Sequence, residues 1–382
     1  MKVIYNFTNI APHYRKNLWE KLIVSEKFEM HFFYGVDKYL GIKEIDFSKP
    51  PFNLHKNRLH PIKLFWIFRK VLIWQSGVIS QCFKASLDSA IFLGEFNIVS
   101  TWVAVLICKI RGVKVVYWTH GIYGNESFLK KTIRVFFYKT ADKILLYEKR
   151  AKKLLTSQGV REDKLQVIYN SLDYDQHLVL RNQLEEVLSF DTINFFQNNT
   201  LPYLIFVGRL TKVKKLNLLI EALAKINKYC CKVNLLIVGE GEMKEQLKNQ
   251  VDNISLNSQV KFFGACFEEK QLASLLYRAE LCVSPGNVGL TAIHSLSFGT
   301  PVCTHGNLNN QMPEVEAIVD GKTGVFFKEN SVASLVIKIE SWLDLGVSRK
   351  KIRKNCFSVI DDFYNPDNQV SVIVKLFSNE PK

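Results

Sequence analysis

The sequence predicts an α/β protein built from two domains, each a doubly wound parallel sheet. The chain has 382 residues, a length that suits two domains of ordinary size. Apolar residues make up 47% and charged residues 23%, which is enough for sizeable cores and excludes a disordered chain. Short apolar runs alternate with amphipathic segments. This order is typical of parallel sheets that are covered by helices on both faces.

The first predicted domain spans residues 1–188. Its strands are predicted at KVIYNF, MHFFYG, KVVYWTHG, KILLYE and KLQVIYNS. Helices are predicted at YRKNLWEKLIV and FLKKTIRVFFYK, where apolar residues recur with helical spacing. A polar stretch at 189–202 predicts a linker, and a C-terminal helix at 365–382 is expected to pack back on this first domain.

The second predicted domain spans residues 203–364 and has the clearer alternation. Its strands are predicted at YLIFVG, VNLLIVGEG, QVKFFGA and LCVSP, and its helices at KLNLLIEALAKI, MKEQLKNQV and EKQLASLLYRA. Two such domains leave a cleft between them, and ligands of this fold class bind beyond the carboxyl ends of the strands.

Cysteine usage and the N-terminus predict a cytoplasmic protein. None of the eight cysteines forms a Cys-x-x-Cys pair, and most lie in apolar runs, which favours small buried side chains over disulfides or a zinc site. The N-terminal MKVIYNFTNI lacks the apolar core of a signal peptide, and no apolar run approaches a membrane span.

The net charge of +15 is concentrated in the first part of the chain. Residues 1–150 carry 24 Lys and Arg against 11 Asp and Glu, whereas residues 151–382 carry 27 against 25. A basic face favours an anionic partner, although a merely lysine-rich soluble surface has the same composition. The basic half contains no recognisable nucleic-acid motif, so we expect no nucleic-acid partner.

The segment 56–75 concentrates cations among aromatic and aliphatic residues, and two interpretations stay open. It either lies on an anionic membrane surface, with the protein peripheral on the inner face of the membrane, or forms an ordinary amphipathic helix on the first sheet. Its cations are Lys56, Arg58, Lys63, Arg69 and Lys70.

Two loops of the second half predict a diphosphate site. Arg209 and Lys214 follow the strand YLIFVG, and Arg can bond two phosphate oxygens while Lys adds a point charge. The stretch SPGNVGLTAIHSLSFGTPV predicts a strand end, a tight loop and a short helix, with backbone N–H groups available at Gly289, Leu290 and Thr291. The alternative interpretation is that both cations are solvated loop charges.

Two strand-end glycines are further candidates, although the first has an alternative role in which it only allows a tight turn. Gly239 lies in IVGEGEMKEQL at a strand-to-helix turn, a pattern shorter than a dinucleotide fingerprint and weak by itself. Gly264 ends the strand KFFG, where a flat base could rest against exposed backbone.

The first half offers candidates for the opposite side of the cleft. His120 follows an apolar strand in YWTHGIYGNE and precedes flexible glycines. The first strand-to-helix loop supplies His13, Tyr14 and Arg15, and Glu95 follows another strand in FLGEFN. Each has an alternative role as a cap or salt-bridge partner, and for Glu95 that alternative is the stronger one.

Taken together, these motifs resemble the donor-binding domain of retaining glycosyltransferases of family 4, which have the GT-B fold. The resemblance covers about residues 203–344 and extends more loosely to WTHG and VIYNSLD in the first half. It rests on FVGRLTKVKKLNLLIEAL, LLIVGEGEMKEQL, VKFFGACFEEKQLASLLYRAELCVSP, FGTPV and PEVEAIVDGKTGVFF. It implies two Rossmann-like domains that face a cleft, with the nucleotide-sugar mainly on the second domain and the acceptor mainly on the first.

The resemblance also implies roles for the candidate residues. Arg209 and Lys214 would hold the donor diphosphate and neutralise the leaving group, and His120 would contact the transferred sugar. The remaining candidates are Asn287, Gly289, Leu290 and Thr291 for donor phosphate and sugar, Gly239, Gly264 and His294 for the nucleoside, and His13, Tyr14, Arg15 and Glu95 for the acceptor. No cofactor and no metal ion are implied, because side-chain cations and a helix N-terminus would do the electrophilic work.

The sequence departs from the family at a pair of glutamates. The family usually has two glutamates separated by seven residues across this loop and helix, and here the positions hold Gly286 and His294. No Asp or Glu lies between Glu280 and Glu314 to replace them. A neutral His can still accept a hydrogen bond from a ribose hydroxyl, and Asn287 could bond the sugar.

The expected activity is transfer of a sugar from a nucleoside diphosphate, UDP in preference to GDP, to a saccharide hydroxyl. The resemblance implies retention of anomeric configuration through front-face attack assisted by the leaving phosphate. The expected acceptor is a lipid-linked saccharide, as in bacterial O-antigen or capsule assembly. The alternative is a degenerate GT-B protein that binds a nucleotide or saccharide as a scaffold, an interpretation that the missing glutamates favour.

Overall fold

The structure is a computed structural model of the chain and describes residues 1–36, 42–68, 71–124, 126–186, 194–228 and 232–378. The chain forms two compact units. The first unit comprises Met1–Asp173 together with Asn365–Lys382, and the second comprises Tyr174–Tyr364.

The first unit is built on a parallel sheet of seven strands. The strands of this unit are β1 (Lys2–Thr8), β2 (Phe28–Gly35), β3 (Leu59–Ile62), β4 (Leu64–Ile67), β5 (Leu72–Gln75), β6 (Ser89–Leu93), β7 (Lys114–Thr119), β8 (Lys143–Leu146) and β9 (Leu165–Val167). The order across the sheet is β3-β2-β1-β6-β7-β8-β9, so the strand order reverses between β1 and β6. Their near-continuous apolar sequences fit strands that are covered on both faces.

Helices cover both faces of this sheet. They are α1 (Lys16–Ile23), α2 (Val78–Gln81), α3 (Val99–Ile110), α4 (Phe128–Lys139), α5 (Lys149–Ser157) and the C-terminal α13 (Pro366–Ser378). One core lies under α2 to α5 and includes Tyr117 and Phe137, whose rings stack at 4.4 Å. The other lies under α1 and α13 and includes Trp19 and Phe32, whose rings stack at 4.1 Å.

The C-terminal helix α13 belongs to the first unit although it follows the second in the sequence. Ile373 and Phe377 are buried in the core beside α1. Lys2 donates to the carbonyl of Phe377 at 2.8 Å, and Lys114 donates to that of Leu376 at 2.9 Å. These contacts place the end of the chain on the sheet formed by its beginning.

The segment 56–75 is not an amphipathic helix, which corrects the second interpretation of this stretch. It contains the edge strand β3 and the antiparallel pair β4–β5, in which Phe65 lies opposite Trp74. Exposure alternates along β4, with Phe65 and Ile67 exposed and their neighbours partly buried, as a period of two requires. Arg69 and Lys70 lie outside the described residues.

The second unit contains a parallel sheet of six strands. They are β10 (Tyr203–Val207), β11 (Asn234–Val238), β12 (Val260–Gly264), β13 (Leu281–Ser284), β14 (Val302–His305) and β15 (Gly324–Phe327). The order is β12-β11-β10-β13-β14-β15, with a reversal between β10 and β13. The helices are α6 (Tyr174–Glu186), α7 (Leu216–Ile226), α8 (Lys244–Asn253), α9 (Glu269–Arg278), α10 (Thr291–Ser297), α11 (Val332–Leu343) and α12 (Arg349–Phe363).

Helix α6 belongs to the second unit, whereas the sequence analysis assigned it to a first domain ending at residue 188. Arg181 on α6 pairs with Asp361 at 2.7 Å and donates to the carbonyl of Ser297 at 2.5 Å, so buried polar contacts tie α6 to this unit. The predicted linker at 189–202 falls partly outside the described residues. Its later part packs on the sheet, with Phe195 against Phe263 at 5.6 Å.

The described cysteines are all free, and five of these six are buried. Burial raises the pKa of the Cys282 thiol to about 12, so this side chain acts as a small apolar group. Cys230 and Cys231 lie outside the described residues. Within the part of the chain that is described, no helix has both the length and the apolar character needed to cross a bilayer.

Candidate functional site

The two loops predicted to hold a diphosphate follow the strands at which the sheet of the second unit reverses. Residues 208–215 follow β10, and residues 285–290 follow β13. In open α/β sheets, the crevice at such a reversal is the usual ligand site. The fold of this unit therefore places both loops at its ligand-binding edge.

A lysine and an asparagine join these two loops. Lys214 donates through Nζ to the backbone oxygen of Asn287 at 2.7 Å and to its Oδ1 at 2.8 Å. Burial and the nearby Arg209 lower the pKa of Lys214, while Glu314 acts in the opposite direction. Burial and the neighbouring cation both disfavour the charged ammonium. An anionic ligand would offset both effects, so this position favours an anionic ligand.

Gly286 is a glycine because the backbone of the neighbouring loop touches it. A Cβ at this position would lie 2.0 Å from the carbonyl oxygen of Val213 and 2.8 Å from Cα of Lys214. Gly286 also donates its N–H to the carbonyl of Lys214 at 3.0 Å. The close approach that brings Lys214 to Asn287 thus excludes any side chain, including a glutamate, at position 286.

A buried hydrogen-bond network fixes the loop from behind. Gln311 accepts from the N–H of Val288 at 3.0 Å and donates to Oγ1 of Thr304 at 2.8 Å. Thr304 lies within hydrogen-bond distance of two loop carbonyls, those of Ser284 at 2.8 Å and Gly286 at 3.1 Å. The loop is therefore held in its shape before any ligand binds, as electrostatic stabilisation of developing charge requires.

The loop leads directly into the short helix α10. Gly289 has a left-handed φ of +54°, and Leu290 caps the helix. Thr291 is the first helical residue and donates its hydroxyl to the carbonyl of Val207, at the end of β10, at 3.2 Å. The first backbone N–H groups of a helix have no acceptor within it. Gly289, Leu290 and Thr291 thus lie together beside the Lys214 loop.

The two glycines predicted near the nucleoside are neighbours. Gly239 donates its N–H to the carbonyl of Gly264 at 2.8 Å, which joins the ends of β11 and β12. A Cβ on Gly239 would lie 1.9 Å from the carbonyl oxygen of Gly208, so the loops beyond β10 and β11 also touch. These contacts leave a surface of backbone atoms along this edge of the sheet.

His294 contacts two ionisable side chains from other helices. Its Nε2 lies 2.6 Å from Oε1 of Glu269, which lies at the start of α9, and Nε2 of His177 on α6 lies 2.9 Å from the same oxygen. The two imidazole rings are parallel, with centroids 5.3 Å apart and planes inclined by 3°. Burial opposes ionisation of Glu269, but hydrogen bonds with the two histidines outweigh it and hold the pKa of this carboxyl well below its usual range.

The sequence analysis missed both partners of His294. It searched for a carboxylate only near positions 286 and 294, whereas Glu269 comes from a preceding helix and His177 from a helix near the start of the unit. Only the packing of α6 and α9 against α10 brings the three together, so no spacing in the sequence marks them.

The candidates of the first unit follow the strands at its own reversal. Arg15 lies after β1 and donates hydrogen bonds to the hydroxyls of Tyr147 and Tyr14. Its guanidinium also lies 4.9 Å from the ring centroid of Trp118. Burial opposes the charge of Arg15, but the two tyrosines outweigh it, so the pKa of this group lies above its usual range.

His120 lies beside the same aromatic residue. Its ring centroid is 4.6 Å from that of Tyr147, and its Nδ1 is buried without a hydrogen-bond partner among the described residues. Burial, together with Arg15 and Arg134, lowers the pKa of His120 to about 4. The imidazole is therefore neutral at physiological pH.

Glu95 belongs to a polar group that the sequence analysis identified only in part. Arg134 pairs with Glu126 at 3.1 Å and donates to the carbonyl of Gly121 at 3.0 Å. Burial raises the pKa of Glu95, Arg134 lowers it and Glu126 raises it further. Arg134 thus influences both Glu95 and His120. It lies on α4 rather than after a strand, which is why strand-end reasoning missed it, whereas Glu126 lies in the loop after β7 that the sequence analysis quoted without choosing it.

A small cavity marks the reversal point of this unit. It has a volume of about 20 Å³ and is lined by residues that include Thr8, Pro12, Arg15 and Trp118. His13, also on this loop, donates its backbone N–H to the carbonyl of Lys43 at 2.8 Å. Arg15 therefore lines this cavity, and the backbone of His13 anchors the loop that carries it.

Two family models match the chain, one in each half. Residues 191–358 match the model described as glycosyl transferases group 1. Residues 29–176 match the model described as Glycosyltransferase Family 4.

Individual proteins agree with the family models. An uncharacterised glycosyltransferase of Methanocaldococcus jannaschii is 24% identical over 255 residues, 65% of this chain and 62% of that protein. Alpha-monoglucosyldiacylglycerol synthase of Streptococcus pneumoniae is 24% identical over 231 residues, 58% of this chain and 49% of that protein. The chain thus spans less than two thirds of the length of either relative.

Among solved structures, Anabaena HepE in complex with UDP aligns with a TM-score of 0.70 and 17% identity over 100% of both chains. This likeness confirms the predicted fold class of two Rossmann-like parallel-sheet domains.

Proposed function

We propose that this chain, which has the GT-B fold and matches glycosyltransferase family models in both halves, is a glycosyltransferase that transfers a sugar from a UDP-sugar to a saccharide hydroxyl with retention of anomeric configuration. The preference for UDP over GDP is supported by the UDP that Anabaena HepE binds. The proposed acceptor is a lipid-linked saccharide of the kind used to assemble cell-surface polysaccharides such as O-antigen and capsule.

The contact between Lys214 and Asn287 carries this proposal. It joins the two loops at the strand reversal of the second unit and places an ammonium, next to Arg209, where a diphosphate would bind. Negative charge grows on the departing diphosphate as the sugar–phosphate bond breaks. Preorganised donors stabilise that charge, and a single one contributes about 3 kcal/mol in a site that excludes water.

The retained configuration would follow from front-face attack by the acceptor, with the leaving phosphate accepting the hydroxyl proton. This route needs no carboxylate flanking the bond, unlike the paired carboxylates of a retaining glycosidase. It is therefore compatible with a glycine at position 286, where the structure leaves no room for a side chain.

We assign His294 to the ribose end of the donor, together with its partner Glu269. Backbone contact excludes the first glutamate of the usual pair, at position 286. Glu269 on α9 nevertheless brings a carboxylate next to His294, which occupies the second position. An ionised Glu269 can accept hydrogen bonds from a ribose diol, the interaction that the second glutamate makes in the family. Gly239 and Gly264 would lie against the base.

In the first unit, His120 and Arg15 are proposed to meet the transferred sugar and the acceptor. The neutral imidazole can donate one hydrogen bond and accept another, which suits sugar hydroxyls. Burial raises the pKa of Glu95, so this carboxyl is more readily protonated than an exposed one and can donate as well as accept.

An exposed apolar surface of the first unit supports a lipid-linked acceptor. We define the apolar patch as six exposed side chains on two neighbouring helices of the first unit, α3 and α4: Val103, Leu106, Ile110, Leu129, Ile133 and Phe136. Trp102 joins these helices by stacking on Phe136 at 6.1 Å. Ile110 and Leu129 are 79% and 70% exposed, and such contiguous apolar surface marks an interaction site.

The charge of the first unit favours an anionic membrane as the partner of this patch. Lys130 and Lys131 lie on α4, between Leu129 and Ile133 in the sequence, and residues 1–150 carry the excess of cations noted above. Each near-surface cation contributes about 1 kcal/mol on an anionic leaflet. One relative, alpha-monoglucosyldiacylglycerol synthase, is named for a glycolipid, which agrees with a membrane-bound acceptor.

Thermal denaturation of the protein with UDP, GDP and their sugars tests the donor, followed by turnover of the stabilising donor on lipid-linked saccharides. We expect UDP and one UDP-sugar to raise Tm, since a ligand of the folded state stabilises it. The anomeric configuration of the product, determined by NMR, tests retention. Absence of any nucleotide-induced shift would contradict the proposal, and donor binding without turnover on any acceptor would favour the scaffold instead.

A further inference from the structure

We propose that His177, Glu269 and His294 form a binding site for a divalent transition-metal ion of the zinc class. Nε2 of each histidine and a carboxylate oxygen of the glutamate all lie within 4.8 Å of one another. The site lies within the second unit and holds no ion in the structure. It shares Glu269 and His294 with the ribose contact proposed above, so an ion and the ribose diol would compete for these two side chains. It differs from the metal-free expectation drawn from the sequence.

The three donor atoms are close to the spacing of a tetrahedral site. With metal–ligand bonds of about 2.0 Å, the ligand atoms of such a site lie about 3.3 Å apart. Oε1 of Glu269 lies 2.9 Å from Nε2 of His177 and 2.6 Å from Nε2 of His294. An outward movement of about half an ångström for the carboxylate would therefore open the position that the ion needs.

The ligand types also fit. Two imidazole nitrogens and one carboxylate oxygen suit zinc and its first-row neighbours, whereas magnesium and calcium prefer oxygen ligands alone. The carboxylate oxygen of Glu269 already lies within hydrogen-bond distance of Nε2 of both histidines, so the three donor atoms face one another. Three protein ligands leave a fourth position, and the part-exposed side chains of Glu269 and His294 leave it accessible to water or a ligand.

The surrounding helices hold the ligands rigidly. His177 lies on α6, Glu269 on α9 and His294 on α10, so an ion would connect three helices. The ring of Phe298 packs against both imidazoles, 4.9 Å from that of His177 and 5.6 Å from that of His294. His294 follows Thr291 by about one helical turn, so the ion would also stabilise the helix that begins at the diphosphate loop.

The first unit contains a natural control with the same residue types. Nδ1 of His31 lies 3.1 Å from Nε2 of His60, and Nε2 of His31 lies 3.0 Å from Glu29. The two nitrogens of His31 thus point to different partners, and the three residues form a chain. Because their donor atoms do not surround one point, this second group is not expected to bind an ion.

Zinc binding to the full-length protein, freed of metal with a chelator and titrated against a chromophoric competitor, tests the site. We expect one tightly bound Zn²⁺ per chain, a rise in Tm with zinc, and visible absorption of tetrahedral type when Co²⁺ replaces it. Glu269→Gln and His294→Gln should each weaken zinc binding by about 100-fold or more, since even outer partners of metal ligands contribute 10- to 100-fold. The matched variant His60→Gln should retain wild-type stoichiometry and affinity.

Zinc X-ray absorption of the wild-type protein gives a second measurement that needs no variant. Two imidazoles in the first coordination sphere would support the site. The proposal is overturned if the wild-type chain retains no zinc, if zinc has another set of ligands, or if folded Glu269→Gln and His294→Gln proteins bind zinc as tightly as the wild type. Because none of these readouts is an activity, they stay separate from the test of the transferase.

Discussion

Lys214 donates to both oxygens of Asn287, at 2.7 and 2.8 Å, and thereby closes the two loops of the second unit on each other. The ammonium is held in one place by a carbonyl and an amide, neither of which carries a full negative charge. It therefore keeps its charge available for a ligand. A carboxylate partner at this position would neutralise the lysine before a diphosphate arrived.

Lys214→Met is expected to lower kcat for sugar transfer by about 10²- to 10³-fold, because a donor to the departing diphosphate is lost. The measurement is steady-state turnover with the UDP-sugar that gives the largest thermal shift. A small change in Tm is expected, since the side chain is only partly buried.

Lys212→Met is the matched control for this variant. Lys212 lies in the same short 3-10 helix, Lys212–Lys214, but is exposed. We expect it to retain near wild-type turnover. Equal losses in both variants would mean that the loop needs general positive charge rather than the placed ammonium of Lys214.

Gly286→Glu, which restores the glutamate usual in the family, is expected to reduce activity rather than raise it. Its Cβ would collide with the carbonyl of Val213 and force the Lys214 loop away. Overpacking of this kind costs about 1–3 kcal/mol. Chemical denaturation should show the lost stability, and turnover should fall with it.

Gly286→Ala and Gly306→Ala separate the backbone contact from the general effect of replacing a loop glycine. A Cβ on Gly306 would meet Cβ of Phe326 at 3.6 Å and the carbonyl oxygen of Phe327 at 4.0 Å, both ordinary contacts. We expect Gly286→Ala to lower Tm and Gly306→Ala to leave it near the wild-type value. A stable, fully active Gly286→Ala protein would show that the loops are not held in contact.

His120→Gln is expected to remove part of the acid sensitivity of the folded protein. The pKa of His120 lies at about 4, below its ordinary value of 6.5, because burial disfavours the charged ring. Between these values the unfolded chain binds a proton that the folded chain does not. The wild type therefore loses stability as pH falls from about 6.5 to about 4, on the order of 2–3 kcal/mol.

Urea denaturation of the wild type and His120→Gln at pH 7 and pH 4.5 tests the direction of this pH dependence. The difference in unfolding free energy between wild type and His120→Gln should shrink or reverse at the lower pH. A difference that stays constant would contradict a depressed pKa at this position. Above pH 6.5 both states leave the ring neutral, so no pH dependence from His120 is expected there.

Serine substitution in the apolar patch is expected to weaken membrane binding. The double change Leu106→Ser and Ile110→Ser removes two exposed aliphatic side chains from α3 and should reduce binding to anionic vesicles by about tenfold or more. Vesicle co-sedimentation at low and moderate salt measures this effect.

Ile337→Ser is the control, because Ile337 is 60% exposed on α11 of the second unit. It should bind vesicles as the wild type does. Equal binding by the patch variant and this control would remove the membrane from the proposed function and leave a saccharide acceptor in solution.

Much of the fold could be predicted because its signals are local. Helix α4 covers FLKKTIRVFFYK, the segment proposed from helical spacing, and β10 to β13 coincide with the predicted apolar runs. The stretch 56–75 could not be assigned correctly, since its mixture of cations and aromatic residues fits a surface helix as well as a strand pair. Only the exposure alternating with a period of two along β4 distinguishes them.

The candidate site was predictable where it depends on loops after strands. Arg209, Lys214 and Asn287 lie in such loops, and their sequence positions already suggested proximity. Glu269 and Arg134 lie on helices, and their partners come from elements distant in the chain. Contacts of that kind are set by the packing of helices against one another, which leaves no regular spacing to read.

The chain passes from one unit to the other twice, after Asp173 and again after Tyr364. A premature stop codon after residue 364 would therefore destabilise the unit that the beginning of the chain forms. The deletion removes Ile373 and Phe377 from the core that also contains Trp19 and Phe32. To produce the first unit alone, residues 1–173 would have to be joined to residues 365–382. The second unit needs only the continuous segment Tyr174–Tyr364.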